Sequence, residues 1–105
     1  MQKALTRQVL IADTANPTGQ LVYTTNKATA TAGNVTISMT NTSGVPHNLA
    51  IQVGTGASGA LVGHTKIATS GTSSITVALK PGTYTFFCQY PGHRAAGMFG
   101  TLTVK

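Results

Sequence analysis

Cys88, His93 and Met98 stand five residues apart in turn. A thiolate, an imidazole and a thioether are soft or borderline donors. Together they suit copper better than calcium, magnesium or manganese. Cys88 is the only cysteine of the chain, and Met98 is the last of three methionines. One more imidazole would complete a four-donor set, and Pro46-His47-Asn48 offers it. Two imidazoles and a thiolate make a trigonal plane, with a long, weak thioether on its axis. That arrangement is the electron-transfer geometry among copper sites. It compromises between what Cu(II) and Cu(I) prefer, so little must move when an electron arrives.

Such residues need elements that carry them to one place. The hydrophobic pattern has a period of two. Val35, Ile37 and Met39 alternate with Thr36, Ser38 and Thr40. His47, Leu49, Ile51 and Val53 alternate with Asn48, Ala50 and Gln52. Ile75, Val77 and Leu79 alternate with Thr76 and Ala78. Tyr84, Phe86 and Cys88 alternate with Thr83, Thr85 and Phe87, and Leu102 and Val104 with Thr101 and Thr103. Each run reads as a strand with one buried face and one wet face. Further strands are expected over Leu5 to Ala12 and Leu21 to Thr24. Between the runs stand turn signals: Ala32-Gly33-Asn34, Asn41-Thr42-Ser43-Gly44, Gly54 to Gly59, Ser70-Gly71-Thr72 and Lys80-Pro81-Gly82. About seven or eight short strands at this spacing predict an all-β fold, an antiparallel Greek-key β-sandwich. Helix is expected only as a short turn near Gly54 to Gly63.

Strand parity then orients the donors. His47 falls on the face of Leu49 and Ile51, and Cys88 on the face of Tyr84 and Phe86, so both point toward the core. His47 begins its run and Cys88 ends its own. The start of one strand and the end of an antiparallel neighbour lie at the same end of a sheet. One pole of the sandwich therefore collects His47, Cys88 and the loop bearing His93 and Met98. Pro91-Gly92 and Gly97 turn that loop back toward the pole, and Pro46 restrains the backbone before His47.

Composition narrows the alternatives. The 105 residues fit one domain over 1–105 with one core. Charged residues are 8% against roughly 25% in an average domain. Asp13 is the only acid, which excludes paired-carboxylate chemistry. Seven Lys and Arg give a net charge of +6. The bland reading of this balance is solubility or adaptation to an acidic medium, and the sharper one is an acidic partner or an anionic surface. The basic residues Lys3, Arg7, Lys27, Lys66, Lys80, Arg94 and Lys105 form no run and no aromatic-basic pattern, which argues against nucleic acid. A lone cysteine excludes an internal disulfide and a two-cysteine copper pair within the chain. No stretch nears the ~20 apolar residues of a membrane helix. The start, Met1 to Arg7, lacks the apolar run of a signal peptide, which reads as a mature chain or an excised domain.

The residues resemble the cupredoxins, the small blue (type 1) copper proteins with plastocyanin- and azurin-like folds. The segments that carry the resemblance are Asn41 with His47-Asn48, Pro81-Gly82-Thr83-Tyr84-Thr85-Phe86-Phe87-Cys88, and Pro91-Gly92-His93 through Gly97-Met98-Phe99-Gly100-Thr101-Leu102-Thr103-Val104. Four residues between Cys88 and His93, and four between His93 and Met98, look most like the auracyanin and rusticyanin loops. The resemblance implies His47, Cys88 and His93 as equatorial ligands of one copper and Met98 as the axial one. It implies that Asn48 hydrogen-bonds toward Cys88 and ties the ligand segments together. It makes the His93 ring edge the electron port, within an apolar docking patch of Pro46, Pro91, Gly92, Ala95 and Ala96 that Arg94 interrupts with a charge. The implied partners are redox proteins such as a c-type cytochrome or a terminal oxidase, with an acidic surface to meet Arg94. The implied location is extracytoplasmic, in the periplasm or on the outer face of the membrane, and the implied state is a monomer.

Taken singly, these residues have bland readings: Cys88 as an inert buried thiol, Met98 and Met39 as core, Tyr84 and Phe86 as core, His64 as a surface residue. Spacing, parity and the flanking Pro and Gly outweigh those readings for His47, Cys88, His93 and Met98. The expected activity is electron shuttling without substrate turnover. The alternative is a type 1 copper domain excised from a larger copper oxidoreductase. Such an enzyme needs a second metal site, which His64 alone cannot build. Copper storage would favour an open, exchangeable site, and a nucleophilic Cys88 would need access that its interior position limits.

Overall fold

The computed structural model describes residues 6–13, 23, 26–56 and 59–105, the first of these segments as backbone alone. The eight strands among the described residues are β1 (Thr6–Asp13), β2 (Lys27–Ala30), β3 (Gly33–Asn41), β4 (Ala50–Val53), β5 (Leu61–His64), β6 (Gly71–Leu79), β7 (Gly82–Phe87) and β8 (Phe99–Val104). They form two sheets, β1-β3-β6 and β2-β8-β7-β4-β5. Val35, Ile37 and Met39 of the first sheet are fully buried, as are Ile51, Phe86 and Leu102 of the second. These side chains belong to one core cluster with Tyr84 and Val104. Burying each large apolar side chain contributes about 1.5–3 kcal/mol. Strand β6 keeps the expected alternation, with Ser73, Ile75 and Val77 half-buried between exposed neighbours and Leu79 buried.

Three expectations need correction. The sandwich is mixed rather than antiparallel: β1 runs parallel to β3, and β2 runs parallel to β8. Alternation tells which face of a strand is buried, but not which strand lies beside it. Here β2 leaves the sheet of β1 and β3 and joins β8 from the far end of the chain, and a parallel pair of this kind needs such a crossover. The second correction concerns Gly54 to Gly63. The described part of this stretch holds bends and the start of β5, which pairs with β4. Four glycines, Gly54, Gly56, Gly59 and Gly63, dilute the strand pattern there.

The third correction is the strand expected over His47 to Val53. Only Ala50–Val53 is strand, and His47 makes an isolated antiparallel bridge with Ala68. Residues 47–52 are all buried, so the alternation fails. The polar positions Asn48 and Gln52 are buried because their amides find hydrogen-bond partners inside. Of Leu21 to Thr24 only Tyr23 is described. It lies outside any strand, buried, with its hydroxyl donating to the Asn48 carbonyl. The other residues of that segment, and Leu5, lie outside the described residues.

Candidate metal centre

Strands β4 and β7 pair antiparallel, Ile51 opposite Phe86 and Ala50 opposite Phe87. The chain that enters β4 therefore lies beside the chain that leaves β7, and His47 and Cys88 meet at that pole. His47 is pinned by a two-way backbone bridge, its N–H to the Ala68 carbonyl at 3.0 Å and the Ala68 N–H back at 3.0 Å. The loop before it is organised by buried Asn41. Its amide donates to the carbonyls of Val45 and Ala68, and its carbonyl oxygen accepts from the Ser43 N–H and hydroxyl.

Cys88 follows the last residue of β7. The next ten residues coil in tight turns before β8. Gly92 (φ 84°) and Gly97 (φ 116°) take backbone conformations that L side chains rarely adopt. The Met98 N–H donates to the His93 carbonyl at 3.1 Å, and the Cys88 N–H to the Met98 carbonyl at 3.1 Å. Backbone bonds thus link the three expected ligands of this segment directly. The side chain of Met98 is fully buried in the core cluster that also holds Cys88.

His47 and His93 bring their Nδ1 atoms to 3.1 Å. Cys88 Sγ lies 3.5 Å from His93 Nδ1 and 3.9 Å from His47 Nδ1. A point equidistant from the three atoms lies about 2 Å from each, close to the zinc–nitrogen bond length of ~2.0–2.1 Å. The donor triangle therefore has the size of a transition-metal site. Its chemistry fits as well, since two imidazoles and a thiolate suit copper. Burial, and secondarily the nearby His93, lowers the pKa of His47 from 6.5 to about 4. Burial also lowers that of His93. Both rings are held neutral near pH 7, the form that binds metal.

Asn48 joins the two ligand segments. Its Nδ2 donates to Gln89 Oε1 at 2.8 Å and to the Thr65 carbonyl at 3.1 Å, while its Oδ1 accepts from the Gln89 N–H at 2.7 Å. Gln89 adjoins Cys88, so this pairing fixes the chain on either side of the cluster. His93 itself is only 6% exposed. Pro91, Gly92, Ala95 and Ala96 around it are exposed, and Pro46 is half-buried. Tyr90 packs its ring against His93, with centroids 4.9 Å apart, and is itself exposed. A cleft beside the loop is lined by Phe87, Tyr90, Pro91, Ala95 and Phe99 among others. Arg94 lines the same cleft, and its guanidinium reaches Gln52, Gly56 and the Phe87 ring. His64 is exposed at the end of β5 and takes no part in the cluster.

Sequence reasoning did not find the roles of Asn41, Thr65, Ala68, Gln89 and Tyr90. Asn41 was visible as part of a turn signal and of the family resemblance, without its hydrogen bonds. Thr65, Ala68 and Gln89 act through partners distant in sequence, which no local pattern reveals, while Tyr90 acts on His93 three residues away.

The family described as copper binding proteins, plastocyanin/azurin family, matches residues 11–105. The chain belongs to that family. A plastocyanin of Scenedesmus fuscus is 33% identical over 91 residues, covering 83% of this chain and 90% of that protein. A plastocyanin of Prochlorothrix hollandica is 44% identical over 62 residues, covering 57% of this chain and 46% of the relative. Dithionite-reduced auracyanin from Roseiflexus castenholzii superposes with a TM-score of 0.79 at 28% identity, covering 93% of this chain and 96% of that one. This cupredoxin is a blue copper electron-transfer protein, and copper is its cofactor. It carries electrons between redox partners and is not an enzyme. Among the described residues no helix is long and apolar enough to cross a membrane.

Proposed function

We propose that one copper per chain is held by His47 Nδ1, Cys88 Sγ and His93 Nδ1, with Met98 as the weak fourth ligand. The observation that carries this is the convergence of the three buried donor atoms within 4.8 Å of one another. Copper, when bound, supplies a one-electron Cu(II)/Cu(I) couple. The chain supplies the rest. The bridge between His47 and Ala68 and the bonds from Asn48 to Gln89 hold the donors in place, so they need not reorganise as the charge changes. The packed core behind Cys88 and Met98 keeps water from the thiolate. One domain over 1–105 carries the whole site.

The electron leaves and enters at the His93 end. Pro46, Pro91, Gly92, Ala95 and Ala96 make a small apolar surface there, and Arg94 stands at its margin. The matching partner is a redox protein, such as a c-type cytochrome or a terminal oxidase, with acidic groups around an apolar contact. With a net charge of +6 and one acid, the chain favours a negatively charged partner. The setting is extracytoplasmic, in the periplasm or on the outer face of the cell membrane, and the working state is a monomer.

The test is the visible spectrum and cyclic voltammetry of the copper-loaded protein, repeated for Met98→Gln. The expected result is intense absorption at about 600 nm from the copper–thiolate bond. In the variant the harder amide oxygen favours Cu(II), so the reduction potential falls while the protein stays folded and coloured. A colourless, redox-silent Cu(II) form sinks the site, and an unchanged potential in the variant removes Met98 from it.

A further inference from the structure

Arg94 directly follows His93, in the middle of the loop that runs from Cys88 to Met98. The backbone bonds of residues 90–97 are local turns, from Gly92 to Ala96 and from Arg94 to Gly97. Side chains must therefore fix the loop against the body of the protein. Asn48 and Gln89 do so at its start. Arg94 does so in its middle. Its Nη1 donates to Gln52 Oε1 at 2.9 Å, and its Nη2 donates to the Gly56 carbonyl at 3.1 Å. The guanidinium carbon lies 4.2 Å from the centroid of the Phe87 ring.

Each of these three contacts leads back to the copper ligands. Gln52 is buried in β4, the strand that continues from His47, and its Nε2 also donates to the Gly56 carbonyl. Phe87 is the last residue of β7 and adjoins Cys88. Gln52, Gly56 and Arg94 thus form a closed hydrogen-bonded set roofing the ring next to Cys88. A planar fork of donors that also stacks on an aromatic face is a property of arginine that lysine does not share.

We propose that Arg94 is a positioning residue of the copper site: a clasp that ties the His93 loop to the strands bearing His47 and Cys88. This rests on the ligand roles of His93 and Cys88 proposed above. The role is distinct from that of a docking charge, because it depends on the shape of the side chain and not on its sign.

Arg94→Lys separates the two, since it keeps the charge and loses the fork. Gln52→Met breaks the same clasp from the other side and leaves Arg94 in place. The copper-loaded proteins are compared by visible spectrum, by reduction potential and by the rate of copper release to a chelator. The clasp predicts that both variants shift the spectrum and potential alike and release copper about tenfold faster, as when outer hydrogen bonds of a metal site are lost. Arg94→Lys matching the parent in spectrum, potential and release overturns the proposal, even if the charge-removing Arg94→Met lowers the potential. His93→Gly is measured in parallel. Loss of its blue band with unchanged Arg94→Lys means that the clasp alone fails, and a retained blue band means that the ligand reading itself fails.

Discussion

The two imidazoles at the centre of the site cost the copper-free protein stability in acid. His47 has its pKa lowered to about 4, by burial first and by His93 second. His93 is lowered by burial. Between about pH 6.5 and 4 the unfolded chain takes up a proton at His47 that the folded chain refuses. The unfolded state then binds more protons, so stability falls as pH falls through this window. The shift at His47 corresponds to on the order of 3 kcal/mol, and His93 adds in the same direction. Urea unfolding of the copper-free protein at about pH 7 and about pH 4.5 reads this directly. An equal or higher midpoint in acid would mean that the rings are not held neutral. Copper at the proposed site would take the same lone pairs, so acid and metal would compete at His47 and His93.

At the scale of elements, the turn between Cys88 and β8 and the strand β8 use glycine for different reasons. Gly97 sits at φ 116°, and an added Cβ there meets nothing within 4 Å. Gly97→Ala therefore strains the backbone without a clash, costing about 1–3 kcal/mol. Because residue 98 follows it, the strain reaches the ligand loop, and the blue band should shift. At Gly100 the backbone is ordinary, but an added Cβ would run into the Phe86 ring and the Asn26 carbonyl. Gly100→Ala is expected to lower the melting temperature through overpacking, worth about 1–3 kcal/mol, and to leave the band in place. Melting curves and spectra of the two variants separate the effects. A band shift in Gly100→Ala and none in Gly97→Ala would reverse the assignment. The strands were legible from alternation where one face is more buried than the other, as with Ile75, Val77 and Leu79 of β6, although Ser38 in β3 and Thr85 in β7 are buried between apolar neighbours as well. The segment from His47 to Gln52 was misread for the same reason, since its polar side chains are buried by partners that alternation cannot foresee.

The whole molecule presents a positive field with almost nothing to offset it, seven Lys and Arg against Asp13. Oxidation of the reduced protein by an anionic one-electron acceptor, hexacyanoferrate(III), should slow as salt is added, because screening weakens the attraction. A rate that rises with salt would show that the field near the His93 end is negative or neutral. Arg94 contributes its charge to that field while its donors stay engaged with Gln52 and Gly56. Long-range charge and short-range geometry are therefore separable properties of one side chain.

The proposed donor set was legible in the sequence alone. The types and spacing of Cys88, His93 and Met98, with His47 upstream, point to copper because ligand softness belongs to the side chain, not to the fold. Alternation also determined the two-layer architecture, since a strand with one apolar face must bury it against another sheet. Only the tertiary structure decided which strands are neighbours. The parallel pairing of β1 with β3 and of β2 with β8 joins residues remote in the chain, and no local pattern encodes it. Tertiary structure also decided how the ligands are held. The contacts from Asn48 to Gln89, from His47 to Ala68 and from Arg94 to Gln52 span 41, 21 and 42 positions. Each depends on where the chain returns after long excursions, which is settled by packing of the whole.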